Sequence, residues 1–110
     1  MSRAWLFILA GGLVETVWAV FMKMSEGFTH PLYTMLTIIF LMVSVALLNR
    51  GLRMGLPVGP AYAVWVGIGA VMSVVSGMVL FGETLTGWGW LFLAMVIGGI
   101  VGLNLVTEEA

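Results

Sequence analysis

One acid stands inside the long apolar runs of this sequence. It is Glu15, in the stretch AGGLVETVWAVFMK from Ala10 to Lys23. The apolar runs cover residues 4–22, 32–48, 58–81 and 88–106, and none contains another charged residue. An acid inside a membrane is usually paired with a base, and no Lys or Arg within these runs can serve. Two states are open to it. It keeps its proton, because burial disfavours the charged form, or it ionises in a wet cavity and binds a mobile cation. A site that alternates between proton and cation exchanges one for the other, which is the chemistry of an antiporter. The structural alternative is a permanently protonated Glu that hydrogen-bonds between helices. Gln would make that bond without the cost of an ionisable group.

The neighbours of Glu15 favour a site. At helical spacing Gly11, Gly12, Trp18, Ala19 and Met22 share its face. The glycines admit a second helix or a ligand at close range. Trp18, one turn on, is placed to aim its indole N–H at the carboxylate and its ring at a cation. In the third run, PVGPAYAVWVGIGA, Tyr62 and Trp65 are three apart on one face, so a phenol donor and an aromatic wall come together. Ordinary aromatic packing is the alternative for that pair. Ser44 offers a hydroxyl from the second run, against the alternative of a bond back to its own helix. Gly67 and Gly69 invite a hinge in the third run, and Gly98 and Gly102 form a GxxxG association face in the fourth.

These residues need elements to hold them. Of 110 residues, 62% are hydrophobic and 8% charged, which is too apolar for a small soluble domain and indicates an all-α integral membrane protein. A span needs about 20 mostly apolar residues, so the four runs predict four transmembrane helices in one domain, joined by tight turns. Strands fit poorly, since the runs are continuous rather than alternating. The first run is longer than a signal-peptide core and is expected to remain as a helix. Cys is absent, excluding disulfides and thiol chemistry. The net charge of −1 supplies no basic patch for nucleic acid. No nucleophile–base pair or metal cluster points to an enzyme, and no cofactor or metal is expected. Trp5, Trp88 and Trp90 fall at span ends and are expected to anchor at the lipid headgroups; His30 is a loop residue.

Two strings carry a resemblance. GLVETVWAVFMKMSEGFT supplies Gly12, Glu15, Trp18, Ala19, Lys23, Ser25, Gly27, Phe28 and Thr29; PVGPAYAVWVGIGA supplies Pro57, Gly59, Ala61, Tyr62, Ala63, Trp65, Gly67 and Gly69. In that order, and over essentially the whole chain, the sequence resembles the small multidrug resistance family and its guanidinium exporter branch. The resemblance implies an antiparallel dimer in a bacterial inner membrane. Glutamates matching Glu15 from both subunits would form one site where protons and a cation compete. Residues matching Trp18, Ser44, Tyr62 and Trp65 would surround them, and the fourth helix would mediate the dimer contact. Trp at position 18 is what the resemblance reads as marking the guanidinium branch.

Three positions depart from that pattern. Asn104 stands where a Lys is usual in the branch, Val66 where a small hydroxyl residue is usual, and Pro60 where a small residue is usual. Pro60 falls in a first helical turn, where it is tolerated. The other two make the site less polar and widen the expected range toward substituted guanidinium compounds. The expected function is proton-coupled export of guanidinium-type cations. The alternatives are export of quaternary ammonium or other hydrophobic cations, and a non-transporting membrane subunit. Arg3, Arg50 and Arg53 on one side against Lys23 on the other predict cytoplasmic termini. That bias raises a heterodimer with an oppositely biased paralogue beside the homodimer.

Overall fold

The computed structural model describes residues 3–107; of the tail TEEA, Glu108 to Ala110 lie outside the described residues. Four helices account for almost all of it: α1 (Arg3–Met24), α2 (Pro31–Arg53), α3 (Val58–Phe81) and α4 (Gly87–Val106). Each is long and apolar enough to cross a membrane, where backbone groups must bond within their own segment. The first two helices run past the apolar spans into charged residues. α1 takes in Arg3 and Lys23, and α2 takes in Arg50 and Arg53. Long basic side chains reach the headgroup region from a helix end, so polarity there does not stop the helix.

The turns follow local chemistry. Pro31 opens α2, where its missing N–H costs nothing. Gly82 ends α3 at φ 66°, a left-handed conformation that suits a residue without Cβ. Thr86 caps α4, its Oγ1 accepting from the Gly89 N–H at 3.3 Å. Between α1 and α2, Glu26, Gly27 and Phe28 are all left-handed. Buried Ser25 stabilises that turn: its hydroxyl donates to the Met22 carbonyl at 2.6 Å and accepts from the Phe28 N–H at 3.1 Å.

α1 is central, lying against both α2 and α3, while α4 packs on α3 and none of its residues is buried. The helices form a flattened layer, 43 × 35 × 17 Å. The buried apolar core sits at one end, where α1 begins, α2 ends and α3 begins, around Ile8, Leu48, Val64 and Trp65. Trp5 belongs to this core at 5% exposure, which corrects its assignment as a headgroup anchor. It shares a helix face with Ile8 and Gly12, so its ring turns toward α3 and not toward lipid. Trp88 and Trp90 are exposed.

Candidate functional site

Glu15 lies just beyond that core, half-buried between α1 and α3. Its carboxyl rests on the bare backbone of Gly69, where an added Cβ would stand 2.5 Å from Cδ and 2.8 Å from each oxygen. Gly69 therefore does more than loosen α3: it makes the seat of the carboxyl. The helix runs unbroken through Gly67 and Gly69. Gly67 takes up Ile100 of α4, whose side chain would lie 2.8 Å from a Cβ there.

One turn before Glu15, α1 is clamped from two sides. A Cβ on Gly11 would meet the Ser44 carbonyl oxygen and the Trp65 ring at 3.1 Å, and one on Gly12 would meet Ile68 at 2.8 Å. The clamp is hydrogen-bonded. Ser44, fully buried, donates to the Gly11 carbonyl at 2.7 Å, and the Trp65 indole N–H donates to the Ser44 hydroxyl at 3.2 Å. Ser44 thus bridges three helices and makes no bond back to its own. Ser44→Ala leaves the buried indole N–H without its acceptor. The expected result is a loss of about 1 kcal/mol, within the range for interhelical bonds in membranes, read as a lower midpoint in denaturing-detergent titration.

Other polar groups remain open. Glu15 Oε2 and Trp18 Nε1 are buried with no hydrogen-bond partner among the described residues. The indole of Trp18 does not bond the carboxylate within this chain. Tyr62 is 53% exposed and tilts against Trp65 at a ring-centroid distance of 5.5 Å. The structure brings Glu15, Gly12 and Gly69 together, with Ser44 and Trp65 bracing them. It gives Trp18 no bond to the carboxyl and leaves Tyr62 exposed. No added Cβ at Gly98 or Gly102 would meet a described atom within 4 Å.

Two further features differ in how far the sequence could show them. The role of Gly69 was readable from spacing, since positions 62, 65 and 69 share one face of α3. The pairing of Lys23 with Glu83 was not, because it depends on how α1 and the α3–α4 turn meet. Lys23 Nζ also stands 4.5 Å from the Phe81 ring centroid, closing the far end of the α1–α3 seam. Asn104, a departure noted above, lines a cavity of about 180 Å³ with Trp5, Val64 and Ile100.

Comparison with known proteins gives this geometry a context. A family model described as Small Multidrug Resistance protein matches residues 3–96. The chain belongs to the small multidrug resistance family. Among curated members, the guanidinium exporters of Citrobacter freundii and Salmonella typhimurium are each 43% identical over 105 residues, covering 96% of this chain and 99% of theirs. The guanidinium exporter of Escherichia coli (strain K12) is 42% identical over the same length. The small multidrug resistance assignment thus spans all of α1, α2 and α3 and the first half of α4.

Proposed function

We propose that this chain exports guanidinium and substituted guanidinium cations in exchange for protons, with Glu15 as the group both ions bind. The observation that carries the reading is the Glu15 carboxyl. It is seated on Gly69 with Oε2 unpartnered, in a membrane segment with no base to pair it. A planar guanidinium forks onto a carboxylate through two parallel N–H bonds. The relatives that carry the name guanidinium exporter match nearly end to end. Trp65, Tyr62 and Trp18 supply the aromatic surface on which a flat cation packs, and Gly12 keeps the helices close enough to support it.

One chain forms a layer only 17 Å across its thin direction, which cannot enclose a cation on all sides. A second copy, inverted in the membrane, would complete the chamber and bring a second carboxylate. The unburied α4, open at Gly98 and Gly102, is the surface for that contact, and α3 bends about Gly67 and Gly69 as access alternates. The membrane is a bacterial inner membrane. Arg3, Arg50 and Arg53 at one end against Lys23 at the other favour cytoplasmic termini and a heterodimer with an oppositely biased paralogue. Reporters fused to the C-terminus are expected to signal from the cytoplasm alone; equal signal from both compartments would remove the fixed orientation and leave the homodimer.

The transport reading is tested on purified chain in sealed vesicles carrying a pH-sensitive dye. Guanidinium supplied on one side is expected to drive protons the opposite way, and tetramethylammonium, which has no N–H to donate, is expected to drive none. The reverse order would assign the chain to quaternary ammonium export. No response to either cation, with or without the paralogue, would leave a non-transporting subunit.

A further inference from the structure

A second binding surface lies on the back of α1. Between α1 and α2, Arg3, Leu6, Phe7, Ala10 and Leu47 line an outward-facing groove of about 260 Å³. Leu6, Phe7 and Ala10 point away from the face that carries Ile8, Gly12 and Glu15, so this groove does not belong to the exchange site. Its walls are apolar except at one end. There Arg3 opens α1, and the Arg50 guanidinium stands 5.8 Å from the Phe7 ring centroid. The two helix ends are held side by side because Gly51, bare of side chain, receives Ile8 and the Ala4 carbonyl.

The charge at this end is unanswered among the described residues. Neither Arg3 nor Arg50 pairs with a carboxylate among the described residues, whose two ion pairs lie at the opposite end. Arg50 in the last turn of α2 complements its helix dipole. Arg3 does the opposite: it puts a cation in the first turn of α1, which contains no acid. A cation there is unfavourable alone and favourable beside an anion, since helix N-termini attract anions. An anion-attracting end continuous with an apolar groove, at headgroup depth in a membrane-spanning chain, has the chemistry of one ligand.

We propose that Arg3 and Arg50 hold the phosphate of an anionic phospholipid whose acyl chain lies in the groove formed by Leu6, Phe7, Ala10 and Leu47. Basic pockets between membrane helices recognise anionic headgroups in this way. The site does not rest on the transport reading, and a chain that moved no cation would still carry it.

Chain purified in mild detergent is mixed with equimolar phosphatidylglycerol and phosphatidylcholine of matched acyl chains, and bound lipid is counted by native mass spectrometry. Wild type is expected to retain phosphatidylglycerol over phosphatidylcholine by about tenfold. R3Q/R50Q brings the ratio to near parity, and R3K/R50K preserves it. Ala10→Phe, which fills the groove and leaves both arginines, lowers retained phosphatidylglycerol several-fold. Parity in wild type overturns the proposal and requires no variant to fold. An unchanged ratio in R3Q/R50Q, or undiminished retention in Ala10→Phe, overturns it as well.

Discussion

Glu15→Gln is expected to reduce guanidinium-driven proton movement to the level of protein-free vesicles while leaving the helices assembled. Gln has nearly the shape of Glu, so it fits the same seat on Gly69 and can still hydrogen-bond across helices. What it loses is the exchangeable proton and the negative charge, the two properties on which competition between ions depends. The variant therefore separates the exchange reading from the structural one. If Glu15 were a permanently protonated interhelical bond, Gln would replace it with little effect, because the ionisation cost would vanish and the bond would remain. Helicity and detergent-unfolding midpoint should match wild type, and proton flux should not. Glu15→Asp gives a graded control: it keeps the charge and draws it back by one methylene from Gly69, so exchange should persist at a reduced rate. Wild-type flux in Glu15→Gln would remove Glu15 from the mechanism.

Much of this arrangement could be read in the chain itself, for physical reasons that differ by element. Apolar runs in a membrane leave the backbone no option but to bond to itself, so the helices followed from composition almost to their ends. The ends moved outward where Arg3, Lys23, Arg50 and Arg53 reach toward headgroups from helical positions. Glu15 was legible because a lone acid in apolar surroundings needs an explanation whatever the fold. Partners across helices were harder. Trp5 sits at a span end by position, yet its face on α1 is the one packed against α3. That distinction requires helix phase as well as depth. Ser44 could be placed on the second helix, but its acceptor, the Gly11 carbonyl, is a backbone group with no signature in side-chain spacing. Trp18 shares the face of Glu15, and spacing alone implied a bond that the chain does not make. The link between Lys23 and Glu83 joins residues 60 positions apart, set by helix packing and not by any local pattern.

Gly69→Ala is expected to disable exchange without unfolding the chain, and Gly12→Ala to do the reverse in order of severity. The difference lies in what the new methyl meets. At position 69 it would stand 2.5 Å from Glu15 Cδ. That carboxyl is the far end of a flexible side chain, so the clash is relieved by moving it. Ala also favours the helix over Gly by about 0.5–1 kcal/mol, which offsets strain left in α3. The fold should survive with the carboxyl pushed off its seat, and a displaced reacting group commonly loses roughly tenfold or more in rate. At position 12 the methyl would meet Ile68 Cβ at 2.8 Å and the Trp65 carbonyl at 3.1 Å. Neither yields: one is the branch point of a β-branched side chain and the other is backbone. α1 and α3 must separate, at the cost of about 1–3 kcal/mol typical of overpacking, and the unfolding midpoint should fall. Measuring vesicle flux and unfolding midpoint on both variants places each on its own axis. Wild-type flux in Gly69→Ala would mean that exchange does not depend on where Gly69 seats the carboxyl, and the site would then have to be built on other contacts.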